Sequence, residues 1–562
     1  MKSRLTVIVC VIAAAALSVW LITSRRVFFR IDMTEEGRFT IAECTREIVS
    51  AIDEPVHIDV YLGGDIDANM VRLRHAVRDL IDEFNAYAGE KITVAYIDPN
   101  DAPDEESRYA GYECLERRGL RGMSVAVRDA HGGVSQQVVF PWAEVSAHGD
   151  TVPVCLLQPG MEASGEAAVN AAMEDHEYLF ADAIRILQQR DVRKIAFIEG
   201  HGELSEAETY DISAALSRYF QVDRGVLGAE DNVLDGYDAV IVASPQEKFT
   251  ETDKYIIDQY VMGGGRVLWC IDGVKVSHDR MAESGVSPLM PLDLNLQDML
   301  FRYGVRITPT VVEDLQCAYM PVNIARPGET PKFEPMPWFY APLLQTSPYH
   351  PITKNRSAVK GEFASVIDFP GDTAGVKKSV LLVSGNATHI TAAPNDIDLN
   401  RIMSVDPQEY FTTGYAPVAA VMEGRFVSAF KNRMPPQGLN VTKAKADSSV
   451  ETRMVVVGDG DVLRNDLENA DGGVAIVPLG YDRMTRMTYG NKDFIISALL
   501  YLTDDMGLME LRNRTVRLRL LNKAAVMTEA QTMRWLNVLL PLAIVAAGGA
   551  AYLYLHRRRW VR

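Results

Sequence analysis

Two hydrophobic patterns divide most of the chain into strands and helices. Short runs rich in β-branched residues, such as residues 237–245 (YDAVIVASP), predict strands. Stretches such as residues 68–89 (ANMVRLRHAVRDLIDEFNAYAG) repeat apolar positions every three to four residues and predict amphipathic helices. The alternation of the two patterns indicates an α/β protein.

Residues 32–190 predict a first domain whose elements follow the order β-α-β-α-β-β-α, in which the two consecutive strands are MSVAVRD, residues 123–129, and QQVVFPW, residues 136–142. This order is typical of a thioredoxin-like domain. Such domains keep a redox CxxC motif after the first strand, but the corresponding loop, residues 62–69, reads LGGDIDAN and contains no cysteine. We therefore predict a scaffold without redox chemistry.

Residues 191–505 predict a second α/β domain. A strand at residues 194–200 (KIAFIEG), a helix over 206–220 and further alternation up to residue 272 predict a parallel sheet covered by helices on both faces. Later strands are predicted at 379–384 and 452–463. Residues 277–450 are otherwise weakly periodic and rich in Pro, Met and Asn, which predicts long loops.

Two uncharged segments near the ends of the chain are long enough to cross a bilayer. Residues 5–22 (LTVIVCVIAAAALSVWLI) end in bulky side chains and precede SRRVFFR, which predicts an uncleaved anchor rather than a signal peptide. Residues 535–555 (WLNVLLPLAIVAAGGAAYLYL) predict a C-terminal transmembrane helix. The alternative is a soluble protein in which both segments are buried core helices.

Basic residues set the predicted orientation. The sequence HRRRWVR directly after the second span places the C-terminus in the cytoplasm by the positive-inside rule. Two spans then put both termini in the cytoplasm and the body between them outside it. The membrane-proximal segment 506–534 is basic, and its cations either contact lipid headgroups or an acidic partner or line a solvated helix face. These cations are Arg512, Arg514, Arg517, Arg519 and Lys523.

Charge and cysteine content exclude several classes of function. The 57 basic and 75 acidic residues give a formal net charge of −18, which argues against binding nucleic acid through its phosphates. The 6 cysteines occur without CxxC or paired spacing, which excludes a disulfide scaffold or a zinc ribbon.

The first candidate site follows the strand at 194–200. Its members are Glu199, Gly200, His201, Gly202 and Glu203. Because Ser205 and Glu208 form a predicted capping box, a helix is expected to begin near Glu206. The loop would then lie at the carboxyl end of a parallel strand, where open α/β sheets bind ligands.

The chemistry of this loop favours a corner or partner contact. Its glutamates would repel the phosphate that a helix N-terminus otherwise attracts. A metal ion bound by Glu199, His201 and Glu203 is the alternative, although no second ligand cluster accompanies them.

The second candidate site is the segment VGDGDVLRND, residues 457–466. Asp459 and Asp461 could bind Ca²⁺ or Mg²⁺, but the spacing differs from an EF-hand and favours a turn capped by Asp side chains. The sequence contains no GxxxxGK[ST], GxSxG or HExxH motif. We therefore predict no catalytic residue, no cofactor and no metal site.

Long phrases of the chain resemble the GldG proteins, which are gliding-motility-associated auxiliary, or substrate-binding, components of an ABC transporter. The phrases are FTIAECTREIVSAIDEPVHIDVYL, RLRHAVRDLIDEF, KIAFIEGHGEL, LFRYGVRITPTVVEDLQC, VVGDGDVLRN and PLGYDRMTRMTYGNKDFIISALLYL. The similarity runs from about residue 28 to the C-terminus, in the same order.

The resemblance implies a bacterial inner-membrane subunit with a periplasmic body, working with a GldF-like permease and a GldA-like ATPase. It also implies that the second domain shares a fold with an intraflagellar-transport protein and is related to glutamine-amidotransferase-like domains. Those enzymes carry a cysteine nucleophile at a strand-to-helix elbow, and IEGHGELS contains none.

The expected function is therefore a non-catalytic accessory subunit. Two alternatives stay open. One is a metal-dependent hydrolase that uses Glu199, His201 and Glu203. The other is a stand-alone envelope module that binds carbohydrate or peptide.

Overall fold

The computed structural model describes residues 40–128, 134–157, 166–188, 192–277, 280–281, 284–323, 325, 330, 332–371, 375–399, 405–470, 473–513 and 530–560. The predicted N-terminal span, residues 5–22, lies outside this set. The chain divides into two compact units, Met1–Arg514 and Thr515–Arg562.

A four-stranded sheet with four helices occupies the first part of the chain. Its elements are α1 (Glu43–Ser50), β1 (Val56–Val60), α2 (Ala68–Ala88), β2 (Ile92–Tyr96), α3 (Glu105–Arg117), β3 (Met123–Arg128), β4 (Val134–Val139), β5 (Trp142–Ala147), β6 (Asp150–Cys155) and α4 (Glu166–Gln188). The strand order is β2-β1-β5-β6, in which β1 and β2 are parallel and the other pairs antiparallel.

The antiparallel pair of this sheet differs from the pair that the sequence indicated. The apolar runs at 123–129 and 136–142 form the hairpin β3–β4, which is separate from the sheet. The sheet instead takes β5 and β6, because Ala143, Val145, Val152 and Val154 bury their side chains in its core. In β5 the buried Ala143, Val145 and Ala147 alternate with Glu144 and Ser146, which is the pattern of a half-buried strand, so the sequence did contain a signal for this strand.

A second group of elements follows α4. They are β7 (Lys194–Glu199), α5 (Tyr210–Leu216), β8 (Gln221–Val226), β9 (Ala239–Ala243), α6 (Glu251–Met262), β10 (Val267–Cys270), β11 (Val274–Lys275), β12 (Val286–Pro291), α7 (Gln297–Tyr303), β13 (Arg306–Ile307), β14 (Thr310–Asp314), β15 (Cys317–Asn323), β16 (Phe333–Thr346), β17 (Val359–Lys360), β18 (Ile367–Asp368), β19 (Val376–Val383), β20 (Thr388–Ala392), β21 (Asn395–Asp398), α8 (Pro407–Tyr410), β22 (Pro417–Gly424), β23 (Thr452–Val457), β24 (Leu467–Ala470), β25 (Gly473–Ile476), β26 (Tyr481–Asp482), β27 (Met487–Thr488) and α9 (Asn491–Leu502). Short 3₁₀ helices cover Asp461–Leu463 and Leu508–Asn513.

Ten of these strands form one large mixed sheet of order β15-β16-β19-β22-β23-β10-β9-β7-β8, with β17 paired to β16 beside this path. The strands from β23 to β8 are parallel, as the sequence predicted, whereas β22, β19, β16 and β15 run antiparallel to their neighbours. The prediction of long loops over 277–450 is therefore wrong in large part. Its prolines and bulges break the period-2 pattern of these strands without preventing them from pairing.

Apolar layers cover both faces of the parallel part. Along β9, Ala239, Ile241 and Ala243 pack into one core, and Val240 and Val242 pack into the other. Helix α9 lies on the first face and α6 on the second. Burial on both faces explains why these strands are continuous apolar runs.

The C-terminal unit contains α10 (Ala530–Trp560). Its segment Arg534–Tyr554, 21 residues, is long and apolar enough to cross a membrane. The sequence predicted a basic surface before this helix that includes Arg512. This prediction is wrong for Arg512, which is buried in the first unit. The other four cations of that segment lie outside the described residues.

Candidate functional site

Four neighbouring parallel strands end at one edge of the large sheet. Strands β7, β9, β10 and β23 end at Glu199, Ala243, Cys270 and Val457. The predicted loop 199–203 begins at the end of β7, and the predicted pair of aspartates follows β23. Both candidate sites therefore lie on the carboxyl edge, where α/β sheets bind ligands.

The imidazole of His201 is held between two carboxylates. Its Nδ1 lies 2.9 Å from Oε1 of Glu203, and its Nε2 lies 3.3 Å from Oδ2 of Asp253. The ring stacks on Phe249 with 3.7 Å between centroids and 12° between the planes. Because His201 is only 5% exposed, the ring is enclosed within the corner.

The backbone of the loop is fixed by the segment that follows β9. The carbonyl of His201 accepts hydrogen bonds from the backbone N–H groups of Gln246 and Glu247, each at 2.8 Å. Gly200 and Gly202 have φ angles of +112° and +72°, which other residues rarely adopt. The two glycines thus allow the chain to turn twice around the histidine.

Glu199, the third ligand of the alternative metal site, belongs to a different network. Its Oε1 lies 2.7 Å from Nε of Arg224 on the neighbouring strand β8. Arg224 also donates to Oγ1 of Thr209 and to the carbonyl of Leu204, both at 2.8 Å. Glu199 therefore does not converge with His201 and Glu203.

The predicted capping box forms, but the helix begins later than predicted. Oε2 of Glu208 accepts from the backbone N–H of Ser205 at 2.9 Å and from its hydroxyl at 2.7 Å. These bonds close a turn, and α5 starts only at Tyr210. The carbonyl of Ser205 accepts both the N–H and the hydroxyl of Thr209 within this turn.

The two carboxylates keep the histidine charged. Burial lowers the pKa of His201, but hydrogen bonds and charge attraction from Asp253 and Glu203 outweigh it and raise the pKa to about 9. Asp253 is desolvated too, yet its bonds to His201 and to Thr250 lower its pKa below the ordinary value. The corner is thus a buried ion-pair cluster at neutral pH.

Asp459 belongs to a buried group of carboxylates at the ends of β10 and β23. Its Oδ2 accepts from the backbone N–H of Glu362 and its Oδ1 from that of Asp461, both at 2.9 Å. Asp272 accepts from the backbone N–H of Gly460 at 2.7 Å and from the hydroxyl of Ser244 at 2.7 Å.

Burial disfavours the charged form of each of these carboxylic acids. Burial raises the pKa of Asp272, and burial together with the charge of Asp272 raises the pKa of Asp459 well above its usual range. The pKa of Asp461 is also raised, chiefly by burial, although Arg464 lies 3.2 Å away and opposes the shift. Arg464 also contacts Glu362 at 3.3 Å.

The segment 244–247 joins the two candidate sites. Ser244, at a left-handed φ of +51°, bonds to Asp272 of the carboxylate group. Two residues later, Gln246 bonds to the carbonyl of His201. The sequence prediction missed Ser244, Asp253 and Asp272. Ser244 and Asp272 each lie at the carboxyl end of an apolar run, and that position was the signal in the sequence that could have identified them.

The side chains at this edge are largely engaged with one another. Within the described residues, no group of three or more His, Cys, Asp or Glu side chains is arranged to hold a metal ion. Burial raises the pKa of the Cys270 thiol well above its usual range, which keeps it protonated and unreactive. Both ring nitrogens of His201 are engaged by Glu203 and Asp253, and one face of the ring stacks on Phe249.

Comparison with known proteins gives two family matches. Residues 192–498 match the auxiliary family described as an ABC-type uncharacterized transport system, and residues 35–146 match a domain of unknown function, DUF7088. None of the curated proteins matches the chain. Among solved structures, an "mmIFT52 N-terminal domain" is 14% identical, with a TM-score of 0.32 over 56% of this chain and 98% of that one.

The first of these matches extends over more than half of the chain and includes every residue of both candidate sites. It begins two residues before β7 and ends within α9, so it covers the strands that form the carboxyl edge. The protein therefore belongs to the auxiliary family of the ABC-type uncharacterized transport system.

Proposed function

We propose that the protein is a non-catalytic accessory subunit of an ABC transporter of the gliding-motility (GldG) type. The observation that carries this proposal is the family match over residues 192–498. The structure of the carboxyl edge supports it, since His201 is enclosed by salt bridges and Glu199 is directed elsewhere. The edge would serve as a rigid corner on a body that binds a substrate or a partner, or that couples the movement of the permease to it.

The proposed partners are a GldF-like permease and a GldA-like ATPase. The chain has no phosphate-binding GxxxxGK[ST] motif, so ATP hydrolysis falls to another subunit. We infer that α10 crosses the bacterial inner membrane with its terminal arginines in the cytoplasm, and that the body is periplasmic. An anchor at residues 5–22 would tether the other end.

The proposed domain division supports a binding role rather than an enzymatic one. The order β2-β1-β5-β6, with a parallel pair followed by an antiparallel pair, supports the thioredoxin-like fold that we propose for residues 32–190. The loop between β1 and α2 lacks cysteine. For residues 191–505 we propose the amidotransferase-like fold, without its nucleophile.

Co-purification tests the partners. The full chain, tagged and extracted from its own membranes in mild detergent, should bring down a multi-span permease and a P-loop ATPase in fixed ratio. ATPase activity in the eluate would come from the partner, since this chain has no P-loop. Extraction of the chain alone would contradict the proposal and favour a stand-alone binding module.

Thiol labelling tests the orientation. Cys114 is exposed, so a membrane-impermeant maleimide should label it in intact spheroplasts if the body is periplasmic. The C114S variant controls for labelling of the other cysteines. Labelling of Cys114 only after lysis would place the body in the cytoplasm and contradict the proposed orientation.

A further inference from the structure

Arg512 is a basic residue at an unexpected place. It lies in the 3₁₀ helix Leu508–Asn513, the last described residues before the segment that leads to α10. A surface role was expected there, but Arg512 is 1% exposed. Leu508, Met509 and Leu511 of the same turn are buried as well.

The start of this turn is fixed by Asp504. Its Oδ2 accepts a hydrogen bond from the backbone N–H of Met509 at 2.7 Å, and its Oδ1 accepts one from that of Met506 at 3.2 Å. The turn therefore closely follows α9, and its apolar side chains pack in the same hydrophobic core as those of α9.

The guanidinium of Arg512 contacts three separate parts of the fold. Its Nη2 donates to the carbonyl of Lys354 at 3.0 Å, and its Nη1 donates to the hydroxyl of Ser497 on α9 at 3.3 Å. The Cζ atom of Arg512 lies 5.6 Å from the centroid of the Tyr178 ring on α4. One side chain thus touches α4, α9 and the loop after β16.

Helix α4 gives these contacts their importance. It follows β6, the last strand of the first sheet, and precedes β7, the first strand of the large sheet. Its side chains pack in the same core as both sheets. Lys354 lies in the loop between β16 and β17, of which residues 350–356 form the part nearest to it in the chain. A side chain that contacts α4, α9 and this loop can therefore hold the two sheets against each other.

The charge of Arg512 has no direct counter-ion among the described residues. No carboxylate oxygen there lies within ion-pair distance of it, and its Nε has no hydrogen-bond partner. Nearby on α4, Oδ1 of Asp175 and Nδ1 of His176 are also buried without a partner. Burial and the neighbouring Arg356 lower the pKa of Arg512 to about 10, although attraction to the charge of Asp175 opposes the shift.

We propose that Arg512 is a releasable clasp, which holds α4, α9 and residues 350–356 together where the chain continues toward the membrane helix. A buried charge without a paired acid is costly, so the clasp is held less tightly than a buried ion pair. Its release would free all three elements together. The proposal depends on the proposed function only for the statement that α10 lies in a membrane.

Hydrogen exchange of the full chain in detergent, followed by mass spectrometry, tests the clasp without any transporter partner. If the clasp opens as a unit, peptides covering 166–188, 350–356 and 508–513 share one opening equilibrium. In R512M the apolar side chain fills much of the volume without the buried charge. Exchange in all three segments should then slow by roughly five- to tenfold.

Two further variants make the test specific. R512A removes the contacts and leaves a void, so exchange should accelerate by about tenfold in all three segments. R464M is the matched control, because Arg464 is an ion-paired arginine whose partners, Asp461 and Glu362, belong to none of the three segments. It should leave exchange in all three segments unchanged.

Three results would overturn the clasp. These are faster exchange in R512M, no change in any one of the three segments, or a change confined to 508–513. A failure to co-purify a permease would contradict the proposed function and leave these exchange results as they stand.

Discussion

Glu199 and His201 are separated by a single glycine, yet their side chains belong to different charge networks. Glu199 pairs with Arg224 on β8, whereas His201 lies between Glu203 and Asp253. Gly200, with φ at +112°, reverses the chain between them. The three residues of the alternative metal site thus belong to two separate salt-bridge networks.

Substitution of these two residues should therefore have unequal effects. H201A removes a buried cation from two carboxylates and should lower the free energy of unfolding by roughly 3 kcal/mol. E199Q disrupts an ion pair whose acid is 40% exposed, and should cost less than about 1 kcal/mol. Urea unfolding measures both. Equal losses, or stoichiometric metal by elemental analysis that H201A removes, would revive the hydrolase alternative.

The charged state of His201 predicts a pH dependence. Its folded pKa of about 9 exceeds the ordinary 6.5, so the native state binds the proton more tightly than the unfolded state. This stabilisation is fully present below about pH 6.5 and is lost as the pH rises through about 9. The stability difference between wild type and H201Q should shrink by on the order of 2 kcal/mol across that window. A difference constant with pH would contradict the ion-pair description.

The buried acids Asp272 and Asp459 should respond oppositely to amide substitution. In D272N the amide oxygen still accepts from Gly460, and the Ser244 hydroxyl can turn to accept from the new amide. Loss of a costly buried charge should leave stability unchanged or raise it by about 1 kcal/mol near pH 7.

Asp459 has no such freedom. Its two oxygens accept hydrogen bonds from the backbone N–H groups of Glu362 and Asp461. In D459N the side-chain NH₂ group must therefore face one of these N–H donors and cannot accept its hydrogen bond. The variant should lose roughly 1–3 kcal/mol. Thermal unfolding of D272N and D459N side by side compares the two, and equal effects would show that hydrogen-bond direction is unimportant here.

The glycines of the corner predict a sharp backbone effect. Gly202 has φ at +72°, and an added Cβ would lie 3.2 Å from Cβ of Gln246. G202A should therefore destabilise the protein by about 1–2 kcal/mol. Gly228 has ordinary φ and open space around it, so G228A should change stability by less than about 0.5 kcal/mol. Equal melting temperatures for the two variants would contradict the assigned conformation.

The sequence predicted those parts of the fold that depend on local pattern. Strands β7, β9, β10 and β23 are continuous apolar runs buried on both faces, so their existence and parallel direction were recognisable. Strands β16 and β22 were not, because prolines and bulges obscure them and because antiparallel partners are chosen over long separations. Their pairing is a tertiary property.

The candidate site was predicted in position but not in partners. Nothing near His201 in sequence points to Asp253, which comes from the first turn of α6, where it also caps that helix with Thr250. Burial of Arg512 was likewise hidden, since a basic segment before an apolar span usually lies at the surface. The contact with Asp253 and the burial of Arg512 were missed for the same reason. A charged side chain is expected at the surface unless its partner, which can be far away in sequence, is known.

The pairing of β10 with β23 has a consequence for biosynthesis. Val267 aligns with Met454, and all the strands from β11 to β22 intervene. The parallel sheet therefore remains open at β10 until synthesis has passed residue 457. Contacts of such high order form slowly, and an unpaired apolar edge can associate with other chains during that time. We expect nascent chains that stop between residues 271 and 451 to aggregate, and to engage chaperones more strongly than chains that include β23.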